Sequence, residues 1–248
     1  ALTPLGYVHV AAPREQFSGA GRSKSIRSDG IIEIKNVTVN DQSWQVYAVG
    51  GTPAQTVQHA LLEILPERPA LIVAGINYGE NAGVGVTISG TVGAALEGAA
   101  HGIPSLAISL ETRQEEHLSY SPTVDFGTAA HFTAYFGELL MRQRFPMDVD
   151  VLKVDVPSDA TPRTPWTVTR LSRRQYYEPV VPNRSSWSEP GQIGYRLAAD
   201  PSKDIQETDV YTLRVRRMVT VTPLSLDLTS RVTLSELEQF MRQSHLND

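Results

Sequence analysis

Residues 69–110, PALIVAGINYGENAGVGVTISGTVGAALEGAAHGIPSLAISL, leave this chain few folds to choose from. Ala70, Leu71, Ile72, Val73 and Ala74 form an apolar run of strand length with no polar alternation. Such a run predicts a strand buried on both faces, as in a parallel sheet. The run breaks at Gly75, where glycines 75, 79, 83 and 85 interleave with Asn77 and Asn81. Those residue types accept backbone conformations that bulkier ones resist. A helix of small residues follows over 92–101, with the Ser89 hydroxyl ahead of it and Gly102 just past its end. Residues 103–110 then return as a second apolar strand. The unit is β-loop-α-β, and sheets built from such units bind ligands beyond the carboxyl ends of their strands. The predicted class is therefore α/β, a mostly parallel Rossmann-like sheet with helices on both faces.

A chemistry follows from that geometry. A helix N-terminus has unpaired N–H groups and partial positive charge, so it favours phosphate. Ser89 and Thr91 add hydroxyls there, Gly90 allows close approach, and Asn77 ends the preceding strand with an amide oxygen directed to the same place. Singly, Ser89 is a helix cap and each asparagine a turn residue. Together they predict a phosphate site.

Gly75-Ile76-Asn77-Tyr78-Gly79-Glu80-Asn81-Ala82-Gly83, followed by Ile88-Ser89-Gly90-Thr91-Val92-Gly93-Ala94-Ala95, resembles the signature of the stationary-phase survival protein SurE family. The likeness extends to Val10-Ala11-Ala12-Pro13 with Ser18-Gly19-Ala20-Gly21, to Gly51-Thr52-Pro53-Ala54, to Thr169-Arg170-Leu171-Ser172-Arg173 and to Val219-Thr220-Val221-Thr222-Pro223-Leu224. The resemblance implies a metal-dependent nucleotidase acting on nucleoside 5'- and 3'-monophosphates with Mg²⁺ or Mn²⁺. It implies Ser18 and Asn77 as metal ligands, and Asn81, Ser89, Gly90 and Thr91 as phosphate contacts. It further implies a homodimer or homotetramer, with an arm packed on a neighbouring subunit. The family pattern also expects a strand, a loop and most of a helix before residue 1, roughly 20–25 residues at average element lengths. That loop carries two adjacent aspartates in the family; this sequence lacks them, so no catalytic residue is assigned and the metal is expected to be weakly held or absent. Glu15 and Glu80 are the nearest acidic substitutes, and weak ones. Gln55 and Thr56 stand where the family more often has acidic and cysteine residues.

Organisation and composition narrow the rest. Residues 1–165 read as the α/β core, 166–224 as a β-rich arm with closing strands, and 225–248 as a C-terminal helix. In the first part, residues 1–6 suggest a last helical turn stopped by Gly6. Residues 7–12 suggest a strand, and 31–39 and 44–49 suggest antiparallel strands around a turn at Asn40 and Asp41. Thr52-Pro53-Ala54-Gln55 predicts a capping box. A charged loop over 111–124 leads to a helix to Arg144, and 149–156 to a strand. Residues 169–179 and 194–197 suggest a hairpin arm too poor in apolar residues for its own core, and 210–221 another strand. Thr233 and Glu236 suggest a second capping box, opening a helix whose apolar face holds Leu234, Leu237, Phe240 and Met241. Arg170, Arg173 and Arg174 are either a solvated face or neighbours of substrate or partner. His59, His117 and His131 read as structural or solvated.

A net charge of −5 argues against a nucleic-acid polymer, whose partners are strongly basic. With no cysteine there is no disulfide, thiol nucleophile or thiolate metal site, which fits a cytoplasmic protein. No apolar run approaches the ~20 residues that cross a bilayer, so no membrane partner is expected. Two other classes compete. One is a non-catalytic, oligomeric phosphate- or nucleotide-binding protein. The other, a dinucleotide-binding oxidoreductase, lacks the ordered glycine fingerprint and the acidic residue after the next strand.

Overall fold

Three strands set side by side in parallel establish the frame: β4 (Ile72–Tyr78), β5 (Ser105–Leu110) and β6 (Val151–Val156). The computed structural model describes residues 1–39, 41–117, 121, 123–198 and 200–244. On β6 the sheet continues with β10 (Val219–Leu224), antiparallel to it, and then β7 (Trp166–Val168), parallel to β10, so the order is β4-β5-β6-β10-β7. A separate three-stranded sheet has β3 (Gln42–Val49) at its centre. Its neighbours are β1 (Val10–Pro13), parallel, and β2 (Ile32–Val39), antiparallel. A groove of about 760 Å³, lined by Val8, Ala11, Ala60, Ile72 and Val73 among others, lies along strands of both sheets.

Alternation along the buried strands divides the core into two layers. Leu106, Ile108 and Leu110 of β5, with Leu152, Val154 and Val156 of β6, pack under Phe132, Phe136 and Leu140 of α3 (Gly127–Arg142). On the opposite face Ala107 and Val151 meet Val92, Ala95 and Ala99 of α2 (Gly90–Ala100), with Val57 of α1 (Pro53–His59) behind them. Helices therefore cover both faces, as the binary pattern predicts. The capping box forms as read. The Thr52 hydroxyl accepts the Gln55 N–H, and Gln55 returns its side-chain oxygen to the Thr52 N–H.

Three expectations change. β4 does not stop at Gly75 but runs on to Tyr78, shifting register between Ala74 and Asn77. Nor is it buried on both faces. It is an edge strand of the five-stranded sheet, and of its residues only Ala74 is buried. An uninterrupted apolar run reports packing partners without saying on how many sides they lie. Within 210–221, the first half is a short helix, α4 (Asp209–Arg214), and only the second half is strand. The Thr208 hydroxyl caps α4 by accepting the Tyr211 N–H, which outweighs the strand preference of Val210 and Thr212. The turn expected at Asn40 and Asp41 falls partly outside the described residues. Asp41 itself has φ 60°, a turn conformation.

The arm is the hairpin β8 (Tyr177–Val180) and β9 (Gly194–Leu197), paired antiparallel. Its base sits on this chain's own body, where Tyr176, Tyr177 and Leu197 pack with Ala82 and Val210. Last comes α5 (Leu234–Ser244), on which Leu234, Leu237, Phe240 and Met241 are all exposed. Among the described residues no helix is long and apolar enough to cross a membrane.

Candidate phosphate-binding site

The N-terminus of α2 and the carboxyl end of β4 meet. Ser89 is the N-cap residue, its backbone extended (φ −69°, ψ 124°) and its hydroxyl accepting the Val92 N–H at 3.1 Å. With Val92 satisfied in this way, helix geometry leaves the N–H groups of Gly90 and Thr91 without an intrahelical acceptor. Asn77 donates its amide N–H groups to the carbonyls of Tyr78 (3.0 Å) and Gly79 (2.7 Å). Its Oδ1 is thereby aimed at the Thr91 hydroxyl, which donates to it at 3.3 Å.

The loop bearing Ser18 closes a third side. A Cβ added at Gly90 would lie 3.2 Å from the Phe17 carbonyl oxygen, so the loop passes directly over the helix start. It is fastened there by the Gly21 N–H to the Ile88 carbonyl (2.8 Å), by the Thr52 hydroxyl to the Ser23 carbonyl (2.6 Å), and by the Arg22–Glu97 ion pair (2.7 Å). Glu97 is buried in α2, also accepts from Gln58, and its carboxyl is held below the usual range despite the opposing effect of burial. Gln16 spans the remaining side, donating to the Ser18 hydroxyl and to the His117 carbonyl, each at 3.4 Å. Ser18, Asn77, Ser89, Gly90 and Thr91 are thus one neighbourhood, assembled from segments far apart in the chain.

Asn81 lies deeper. Its backbone N–H donates to Asp155 (2.8 Å), its carbonyl accepts from Lys153 (3.0 Å), and its side-chain amide donates to Ser109 (2.7 Å). These bonds run into the sheet and away from the helix start, unlike those of its predicted companions. Asn77, Ser109 and Asp155 occupy matching register positions on β4, β5 and β6, so the loop after β4 is tied to the adjoining strands one row at a time. Lys153 and Asp155, on β6, and Asp209, at the start of α4, are fully buried. No motif announces them. The one local signal is a lysine and an aspartate inside the otherwise apolar run VLKVDV.

Of the acidic substitutes, Glu15 is exposed, and Glu80 turns away from Asn77. Glu80 is 2% exposed and accepts from the Tyr176 hydroxyl at 2.5 Å, while its Oε2 has no hydrogen-bond partner. Burial pushes its carboxyl up to about 7, opposed by the Tyr176 bond and by Arg214. His117 takes the structural of its two expected roles. Its ring lies over Gly79, Nδ1 is 2.8 Å from the Tyr195 hydroxyl, and burial lowers its basicity. Gly79 has φ +87°, and a Cβ there would come within 2.7 Å of that ring, so only glycine fits the turn. His59 pairs with Glu63, and His131 stands exposed beside Phe132. Arg170 pairs with Glu207 across exposed surface, and Arg173 and Arg174 are exposed, which favours the solvated face.

The oxygens that Ser18 and Asn77 offer a divalent cation are both neutral. Hard cations take anionic oxygen, normally one or two carboxylates for Mg²⁺. Among the described residues there is no group of three or more His, Cys, Asp or Glu that could hold a metal ion. These two residues do not by themselves make a cation site.

Comparison with known proteins gives a consistent result. Residues 1–178 match the family model described as survival protein SurE. A relative from Thermococcus gammatolerans, named 5'-nucleotidase SurE, is 38% identical over 242 residues, spanning 97% of this chain and 88% of the relative. One of the same name from Archaeoglobus fulgidus is 39% identical over 240 residues, spanning 96% and 88%. The crystal structure of the SurE protein from Aquifex aeolicus superposes with a TM-score of 0.70 at 30% identity, covering 97% of this chain and 91% of that one.

Proposed function

Because the chain belongs to the survival protein SurE family, we propose that it binds nucleoside 5'- and 3'-monophosphates and hydrolyses their phosphate ester. The observation that carries this reading is the contact between Asn77 and Thr91 at the start of α2. It joins a strand end to a capped helix N-terminus, and the loop that carries Ser18 runs beside Gly90. There the N–H groups of Gly90 and Thr91 hold phosphate oxygens, and the Thr91 hydroxyl exchanges its Asn77 acceptor for a third. Ser89 keeps the first turn in shape, and Gly90 adds no side chain between phosphate and backbone.

Magnitudes limit what these groups do. A helix terminus contributes ~0.3–1 kcal/mol at an exposed site and up to ~2 when partly buried. A catalysed reaction needs its barrier lowered by about 8 kcal/mol or more. The cradle orients the ester, and none of its groups is a base or a nucleophile. A divalent cation, Mg²⁺ or Mn²⁺, is part of the proposed activity, but Ser18 and Asn77 alone do not hold one. The neutral donor set favours a second reading, that this chain binds nucleotide without turning it over. The proposed partner protein is a second copy of the chain, supported by the exposed apolar side chains of α5.

Calorimetry with AMP, with and without Mn²⁺, combined with a phosphate-release assay, separates these readings. Binding is expected, and Thr91→Val should weaken it about ten-fold, the scale of a hydrogen bond to a charged group. Metal-independent binding with no release selects the second reading. Equal AMP affinity in Thr91→Val and wild type would overturn the phosphate site itself.

A further inference from the structure

Three charged side chains, with no solvent contact, stand directly beneath the loop that joins β4 to α2. Lys153 Nζ donates to Asp155 Oδ2 (2.5 Å), to Asp209 Oδ2 (2.9 Å) and to the Asn81 carbonyl (3.0 Å). Asp155 Oδ1 accepts the Asn81 N–H (2.8 Å), and Asp209 Oδ2 accepts the Gly83 N–H (2.9 Å). Asp209 Oδ1 accepts the N–H groups of Ser172 and Val210, each at 2.9 Å. Desolvating three charges costs so much that their attraction barely offsets it, and an apolar trio would support the core as well. Stability therefore does not account for them. The backbone does. Asn81 and Ala82 lie in no helix or strand, and Gly83 opens a short 3₁₀ helix (Gly83–Thr87) whose first N–H groups have no partner within it; buried backbone groups need partners. A cation with two flanking carboxylates supplies both an acceptor and a donor within one turn.

We propose that Lys153, Asp155 and Asp209 are positioning residues for the phosphate site. They hold the 81–83 turn, and through it the segment between Asn77 and Ser89, in its binding geometry before any ligand arrives. Among the described residues the three hydrogen-bond only to backbone, to Thr220 and to one another, so they act through the turn and not on the substrate. The same Asp209 grips Ser172, which couples the turn to the 169–173 segment on the far side of the triad. This proposal rests on the reading of residues 77–91 as a phosphate cradle.

The test is peptide-resolved amide hydrogen exchange on the full chain, paired with AMP calorimetry. Lys153→Met leaves two buried carboxylates facing each other and is at risk of not folding. Asp155→Asn is the second variant. It removes one negative charge from a trio of net charge −1. Its single amide oxygen is drawn to the Lys153 ammonium, so its NH₂ faces the Asn81 N–H. Exchange over 79–85 should rise at least ten-fold in Asp155→Asn, with β5 and α3 unchanged, and the Kd for AMP should rise about ten-fold. Unaltered exchange over 79–85, or a uniform rise across the sheet, would overturn the proposal by making the triad an ordinary core element. If wild type binds no AMP, the cradle reading fails, and the exchange data still decide whether the triad holds the turn.

Discussion

Glu80 carries a cost that the fold accepts. Its carboxyl is buried next to Tyr176 and Arg214, with one oxygen unpartnered. Burial raises its titration from the ordinary 4.5 to about 7. The unfolded chain ionises Glu80 near 4.5, whereas the folded chain resists until about 7. The contribution of Glu80 is therefore most favourable below pH 4.5 and is progressively lost as pH rises through 7. A gap of that size is worth about 3 kcal/mol. Glu80→Gln keeps the shape and the acceptor for Tyr176 while removing the ionisation. Thermal unfolding should show the variant gaining on wild type between pH 5 and pH 8. A stability difference independent of pH would show that Glu80 titrates normally. Its neighbours in sequence, Asn77 and Asn81, were recognisable from residue type and spacing. Glu80's turn toward the arm was not, because Tyr176 and Arg214 reach it from 96 and 134 positions further along.

Among the elements, α2 is closely packed at Gly93. Gly93 faces the loop that carries Ser18, and a Cβ there would lie 2.2 Å from the Gly21 carbonyl oxygen. Two effects of Gly93→Ala oppose each other. Helix propensity favours alanine by about 1 kcal/mol, while forcing a methyl into a filled contact costs typically 1–3 kcal/mol. The contact is with backbone, which yields less easily than a side chain, so the steric effect wins. Denaturant unfolding of Gly93→Ala should show a net loss of up to about 2 kcal/mol, accompanied by weaker AMP binding as the Ser18 loop lifts from the helix. A stabilised variant would mean the loop moves aside freely. Short-range elements of this kind were legible beforehand. The Thr52 and Ser89 caps and the amphipathic α3 depend on chemistry within a few residues, whereas the arm's first strand, expected over 169–179, lies at Tyr177–Val180. By contrast α4 reads as strand from Val210 and Thr212, which favour extended backbone, and the Thr208 cap that outweighs them shows only in the folded chain.

At the scale of the whole molecule, α5 presents exposed apolar side chains. Leu234 is 65% exposed and Leu237 41%, and Phe240 and Met241 of the same helix are exposed as well. In the proposed oligomer a second copy covers this face, and burying a leucine contributes roughly 1.5–3 kcal/mol. Light scattering should give a multiple of 27.2 kDa, and Leu234→Glu with Leu237→Glu should return the mass to that of one chain. A wild-type mass of one chain would remove the oligomer. The family match and the superposition on the Aquifex protein agree with the α/β architecture expected from residues 69–110. Periodicity, caps and glycine-rich turns act locally, so the sequence alone determined the fold class, most elements and the cluster at the start of α2. Sheet edges, the inward turn of Asn81 and the Lys153–Asp155–Asp209 triad were decided only by tertiary structure. Burial of a charge is a property of what surrounds it, and those surroundings come from strands and helices that only the folded chain brings together.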